Sequence, residues 1–271
     1  MPDSSKIVLI GAGNVATVLG KGIYARGFII SCVISPNITH AESLAKEIHA
    51  ETFSSQIKQI PLDADWYILA VSDDAIEVVM NEMPIVDGIV VHTSGTVSSD
   101  GLKRRFSHWG VWYPLQTMSK ERPLALEQIP FLILGNSEET LQRIELFTRM
   151  LGATGYRMDD EQRRQAHLTA VILNNFVNQL ILLAEDYGEK YRLPPELFKP
   201  LLIETIEKSL LLGAKNAQTG PARRGDRNTI RKHLELIQAS NNTILLSLYR
   251  IFTRSIIERY GGKIDDFNDL V

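Results

Sequence analysis

The chain is short of several things, and each shortage narrows what it can be. Its 271 residues include one cysteine, Cys32, so an internal disulfide and a cysteine-cluster metal site are excluded, and no metal site is expected. Cys32 sits in an apolar run and reads as a small buried hydrophobe. An excess of one charge is also missing. The net charge of −3 gives no broad attraction to nucleic acid or to an anionic membrane. No apolar stretch reaches membrane-spanning length without polar interruption. A secretory leader is not expected, because the first apolar run, Ile7 to Ile10, is short and ends in glycines. The default expectation is a cytoplasmic protein that acts on a small molecule. What is present is an ordinary globular composition, 44% hydrophobic and 23% charged, with length for one large domain or two ordinary ones.

The two halves are patterned differently. Up to about residue 158, short β-branched runs alternate with helical segments, beginning with Lys6-Ile7-Val8-Leu9-Ile10 and a helix over Val15 to Arg26. That alternation predicts an α/β fold built on a doubly wound parallel sheet of the Rossmann type. From Asp160 on, only helical stretches follow. Asp160 to Tyr191 is apolar almost all round its centre and is expected to be buried. Glu196 to Leu212 is expected to bend at Pro200, Gly213 to Gly225 to form a loop, and Asp226 to cap the next helix. The expected domains are therefore 1–157, built on the sheet, and an all-helical 158–271.

The first motif is Gly11-Ala12-Gly13-Asn14-Val15-Ala16, which follows a strand and opens a helix. Gly11 permits the tight turn, Gly13 lets a pyrophosphate approach the backbone, and Ala16 lets helix and strand pack closely. The free N–H groups of the helix start, at Asn14 and Val15, complete a phosphate site. The end of the second strand reports on the nucleotide. An acid there would bind the ribose 2′-hydroxyl of NAD. The sequence instead reads Ser35-Pro36-Asn37-Ile38-Thr39-His40, without a carboxylate before Glu42 and without an arginine. Ser35 and Asn37 can donate hydrogen bonds there, so NADP is expected, with NAD the alternative. Val71, Ser72 and Asp73 end the fourth strand, which begins at Trp66, and are expected to line the cofactor cleft, with Asp74 as the cap of the following helix.

Candidate substrate groups follow from later strand ends. His92-Thr93-Ser94-Gly95 offers hydroxyls, backbone N–H groups and a histidine that is either structural or catalytic. Tyr113 begins a second such segment, Tyr113-Pro114-Leu115-Gln116-Thr117. On the Asp160 helix, Arg163, His167, Asn174, Asn178 and Glu185 fall in one sector, with Asn175 beside it. That stripe is either the solvent side of the helix or one wall of a cleft. In the second case His167 is a proton donor and Asn174 or Asn175 a substrate ligand. The segment Thr219-Gly220-Pro221-Ala222-Arg223-Arg224-Gly225-Asp226 is either a plain connection or an anion site with Arg223 as ligand.

Taken together, these segments resemble the Rossmann-like NADP oxidoreductase family. Its N-terminal domain is like that of pyrroline-5-carboxylate reductase and deazaflavin-dependent NADP reductase, and its C-terminal domain is helical and of unknown function. The resemblance rests on the glycine loop, His92 to Gly95, Tyr113 to Thr117, His167 with Asn174-Asn175, and Thr219 to Asp226 with His233. It implies an NADP-binding domain and a helical domain that dimerises and closes the site. The apolar residues Ile244, Leu245, Leu248, Ile251, Phe252, Ile256 and Ile257 of the last helix also suit a homodimer. Two functions follow as expectations. One is an oxidoreductase moving a hydride between nicotinamide and a small carbonyl or imine compound, with His167 or His92 as acid. The other is a non-catalytic NAD(P)-binding sensor or interaction module.

Overall fold

The computed structural model describes residues 5–122, 124–263, 267 and 270. Eight strands form one sheet: β1 (Lys6–Ile10), β2 (Ile29–Ile34), β3 (Thr52–Ser54), β4 (Trp66–Leu69), β5 (Ile89–His92), β6 (Trp109–Pro114), β7 (Pro130–Gly135) and β8 (Thr154–Arg157). Their order is β3-β2-β1-β4-β5-β6-β7-β8. Helices α1 (Asn14–Ala25), α2 (Ile38–Glu47), α3 (Asp73–Glu82), α4 (Asp100–Lys103) and α5 (Glu138–Met150) connect them. After β8 the chain is helical: α6 (Asp160–Val171), a π turn (Ile172–Phe176), α7 (Val177–Lys190), α8 (Lys199–Leu212), α9 (Ala214–Ala217), α10 (Pro221–Arg224), α11 (Arg227–Ala239) and α12 (Thr243–Arg259).

The strands are buried on both faces because their residues alternate between two cores. Ile7 and Leu9 of β1 pack with Ala16, Leu19, Leu44 and Phe147 from α1, α2 and α5. Val8 and Ile10 pack with Ile76, Met80 and Leu102 from α3 and α4. Each such fully buried aliphatic side chain contributes on the order of 1.5–3 kcal/mol. Continuous apolar strands covered on both sides are what a parallel sheet requires. From β3 across to β6 every pair is parallel. The segments after β1, β4, β5 and β6 therefore emerge on one edge of the sheet.

The expected Rossmann-like, mainly parallel sheet is present, with one antiparallel pair, β6 with β7. The structure corrects several finer expectations. The cap of α3 is Ser72, not Asp74, and its side chain makes no capping bond. Pro200 lies in the first turn of α8, where its missing N–H costs nothing, so it starts a helix and does not bend one. The expected loop from Gly213 to Gly225 holds α9 and α10. Asp226 does cap α11, accepting from Thr229 N–H at 3.1 Å.

The Asp160 helix differs most from its expected form. It is interrupted by the π turn, and within this single chain much of its apolar surface is exposed, with Leu173 69% and Phe176 56% accessible. By length and composition alone, the stretch Asp160–Lys190 is apolar enough to cross a membrane.

The chain forms two compact units, Met1–Asn175 and Phe176–Val271, so α6 is grouped with the sheet. The sequence places the division at 157/158, where the last strand ends. The second unit has its own small core, formed by Ala222, Ile230, Leu234 and Ile257 with Phe267 and Leu270.

Candidate active site

The glycine loop is built by sterics. Gly11 has φ +122°, and a Cβ there would collide with the Ala70 carbonyl group, while its N–H donates to Ile34 O at 2.7 Å. The loop is thus wedged between β2 and β4, and only glycine fits. Gly13 is the N-cap of α1, and nothing lies within 4 Å of where its Cβ would sit. No side chain caps α1 and no acidic residue occupies its first turn. Ala16 is fully buried and brings α1 close to the sheet. An open cradle backed by uncapped N–H groups at Asn14 and Val15 suits a pyrophosphate, so these residues fit a dinucleotide.

A lysine reinforces the loop. Lys120 Nζ donates to the Ala12 carbonyl at 2.9 Å, from 108 positions away in the connection between β6 and β7. No local spacing in the sequence links the two. Along the same edge, Val71 is half-buried and Ser72 and Asp73 are exposed. The Asp73 carboxylate accepts from Thr96 Oγ1 at 2.5 Å. At the end of β2, Ser35 is buried and its N–H donates to Ser54 O at 3.2 Å. Asn37 Oδ1 caps α2, accepting from His40 N–H at 3.2 Å.

The hydroxyls after β5 turn inward. Thr93 Oγ1 donates to Leu69 O at 3.2 Å, and Ser94 Oγ accepts from the N–H groups of Thr96 and Val97, both at 3.0 Å. Both side chains shape the turn. His92 is fully buried. Its Nδ1 accepts from Ser94 N–H at 3.2 Å, which leaves the proton on Nε2, an atom without a partner among the described residues. Burial pushes this imidazole down to about 4, and the Arg163 guanidinium adds to the effect, while Asp160 and Asp73 oppose it. His92 is therefore neutral at physiological pH.

Helix α6 is anchored to that turn by a buried ion pair. Arg163 is 1% exposed, and its guanidinium donates to Asp160 Oδ1 at 2.6 Å and to the Val97 carbonyl. Asp160 Oδ2 accepts from Ser99 N–H at 2.8 Å and from the Ser98 and Ser99 hydroxyls. Burial pushes the Asp160 carboxyl up, but the Ser99 N–H and the Arg163 guanidinium outweigh it and hold it below its ordinary value.

One turn further along α6, His167 reaches the sheet edge. Its Nδ1 shares a hydrogen bond of 2.9 Å with the Tyr113 hydroxyl, and burial pushes that phenol's pKa up. Gly95 makes room for the pair, since a Cβ there would lie 2.5 Å from His167 Nδ1 and 2.9 Å from Tyr113 Cζ. Tyr113 and His167 line a cavity of about 590 Å³ together with Gln116, Thr117, Asn174 and Asn175. The asparagines come from the π turn, a deformation frequent at functional sites. Of the predicted residues, Tyr113, His167, Asn174 and Asn175 are thus gathered around one cavity, with Gly95 beneath. Arg223 lies in the second unit, where its guanidinium donates to the Asn216 and Gln218 carbonyls and stacks on Tyr260 at 4.8 Å.

Sequence and fold comparisons point the same way. Residues 6–94 match the family described as NADP oxidoreductase, coenzyme F420-dependent, and residues 129–256 match a domain of unknown function, DUF2520. A Bacteroides fragilis protein described as a "putative NADP oxidoreductase" is 35% identical, with 94% of this chain and 98% of that one covered at a TM-score of 0.84. The chain belongs to this two-domain oxidoreductase family. Its fold is also that of more distant proteins. The pyrroline-5-carboxylate reductase of Streptococcus pyogenes is 15% identical over 94% of this chain and 98% of that one, with a TM-score of 0.62. The pyrroline carboxylate reductase of Plasmodium falciparum, solved with NADP bound, is 15% identical over 96% and 99%, with a TM-score of 0.60. No curated protein matches by sequence.

Proposed function

We propose that this protein is an NADP-dependent oxidoreductase that moves a hydride between nicotinamide and a small carbonyl or imine compound, with His167 as general acid. The observation that carries this reading is the Tyr113–His167 hydrogen bond, on the same sheet edge as the glycine loop. Three strand spacings separate β1 from β6, about 14 Å, so an extended dinucleotide bound at Gly11 to Ala16 would direct its nicotinamide towards the pair. Bound NADP supplies the hydride chemistry. The protein supplies the proton and the orientation. A charged His167 ring donates from Nδ1 to the Tyr113 oxygen, and once Nε2 has given up its proton the remaining proton stays on Nδ1, so the same hydrogen bond persists. Tyr113 therefore holds the ring in place before and after the transfer. Asn174, Asn175, Gln116 and Thr117 supply neutral donors and acceptors for the substrate. Oxidation of NADPH against a panel of keto acids, cyclic imines and deazaflavins tests the reading.

A non-catalytic NAD(P)-binding module is the second reading, and one observation favours it. The residues lining the cavity around His167 include no carboxylate and no lysine. Tight NADPH binding without oxidation by any member of the panel would support it.

We further propose a homodimer formed through the helical unit, acting in the cytoplasm. Leu210, Leu211, Ile244 and Ile251 are each at least 60% exposed in the single chain, more apolar surface than a monomer of this kind leaves open. The one cysteine, Cys32, is buried and free, which suits a reducing compartment. Light scattering at micromolar concentration tests the dimer, and a monomeric mass would refute it.

A further inference from the structure

We propose that Lys58 recognises the 2′-phosphate of NADP and sets the preference over NAD. The inference rests on the cofactor reading above and adds the residue that gives it selectivity.

A cavity of about 480 Å³ opens at the ends of β1 and β2, where Ile10, Ile34, Val71 and Ala75 give it apolar walls. With the pyrophosphate on the glycine loop, this is the side of the sheet to which the adenosine half extends, and the end of β2 faces the ribose. In this chain that end offers no formal charge. Ser35 is buried, Pro36 has no N–H, and the oxygen of Asn37 is committed to capping α2.

The neighbouring strand supplies what β2 lacks. Strand β3 pairs with β2 in parallel, with Ile34 opposite Ser54, so the residues after Ser54 emerge beside Ser35 and Asn37. They form a 3-10 turn, Ile57–Gln59, which brings Lys58 to the cavity wall. Side-chain hydrogen bonds pin this turn. Ser54 Oγ donates to Gln59 Oε1 at 2.8 Å, Gln59 Nε2 donates to Gln56 Oε1 at 3.0 Å, and Gln56 N–H donates to Ser54 Oγ at 3.0 Å. Lys58 is the one cation among the residues lining the cavity. A phosphate monoester needs such a cation, whereas a ribose hydroxyl does not. Glu82 also lines the cavity, but from the last turn of α3, some 14 Å along that helix from its start at the sheet edge. Its carboxylate suits the exocyclic amine of adenine.

The test is titration of full-length protein with NADPH and NADH by calorimetry, using wild type, Lys58→Ala, Lys58→Arg and Lys58→Glu. The wild type is expected to bind NADPH more tightly than NADH. Lys58→Ala is expected to weaken NADPH about 10- to 100-fold, the worth of one charge-assisted hydrogen bond, and to leave NADH within about twofold. Lys58→Arg should keep the preference, and Lys58→Glu should reverse it. Equal affinity changes for both dinucleotides in Lys58→Ala, or none, would overturn the role of Lys58 and leave the cofactor reading standing. Wild-type protein that binds neither dinucleotide would overturn both.

Discussion

The Tyr113 hydroxyl meets His167 Nδ1 at 2.9 Å against Gly95, a position where any Cβ would press on both rings. A strand end, a turn and a distant helix thus meet at one hydrogen bond. Replacing Gly95 with alanine should displace the pair while leaving the glycine loop untouched. Misplacing catalytic groups by about 1 Å costs on the order of 10²-fold in rate. Steady-state kinetics of Gly95→Ala should show a fall of that size in kcat, with NADPH affinity kept within about twofold. An unchanged kcat would mean that the geometry of the pair is irrelevant to turnover.

The tyrosine acts through the histidine. Tyr113→Phe removes the group that holds His167, and a hydrogen bond to a charged partner is worth about 1.5–3 kcal/mol. The variant should lose about 10- to 100-fold in kcat. The KM for the carbonyl or imine substrate should stay within about twofold, because Tyr113 acts on the ring and not on the substrate. A rise in KM with kcat unchanged would assign Tyr113 to substrate contact alone.

His92 gives the fold a defined pH dependence. Its pKa lies at about 4 in the native protein against about 6.5 in the unfolded chain, so between those values the unfolded state binds the extra proton. The stability conferred by the neutral ring is complete above about pH 6.5 and is lost as pH falls towards 4. At about 1.4 kcal/mol per pKa unit, that loss is on the order of 3 kcal/mol. Urea unfolding of wild type and His92→Gln at pH 7, 5.5 and 4.5 should show a shallower decline for the variant. Parallel declines would place the acid sensitivity elsewhere.

The Asp160–Arg163 pair anchors α6 to the turn after β5. Arg163→Ala would leave Asp160 without its partner, and breaking a buried pair in this way costs about 3–5 kcal/mol. The midpoint of urea unfolding should fall accordingly. Asp160→Asn keeps an acceptor for Ser99 but leaves the Arg163 charge, on a side chain only 1% exposed against 21% for Asp160, without a counter-charge, so it should cost at least as much. A clearly smaller loss in Asp160→Asn would contradict the pairing as the source of the stability.

Lys120 holds the Ala12 carbonyl and would lie beside a bound pyrophosphate. That group is common to NADP and NAD. Lys120→Ala should therefore weaken both by about tenfold in calorimetric titrations. A loss confined to NADPH would move Lys120 to the 2′-phosphate.

Most of the first unit was legible in the sequence because its signals are local. A β-branched run closed by Gly11 and followed by a helix carries both the strand and the loop within a dozen residues. The reversed β7 was not legible, because Phe131 to Leu134 is apolar whichever way the strand runs. At the candidate site, sequence could list His92, Thr93, Ser94, Tyr113 and His167 but could not sort them. The sorting depends on tertiary geometry: His92, Thr93 and Ser94 turn inward, while Tyr113 pairs with a residue 54 positions away. Lys120 and Lys58 gave no signal, since a lysine in a polar loop looks the same whether or not a phosphate site lies beside it. The π turn was hidden as well, because Ile172 to Phe176 has no breaker and reads as continuous helix.

NADPH oxidation, measured for wild type and His167→Ala against the panel of keto acids, cyclic imines and deazaflavins, tests the central claim most directly. The account predicts oxidation with at least one class of acceptor. It also predicts a loss of about 10²-fold or more in kcat for His167→Ala, with NADPH affinity retained. Undiminished turnover in His167→Ala, or tight NADPH binding with no oxidation by any acceptor, would contradict it.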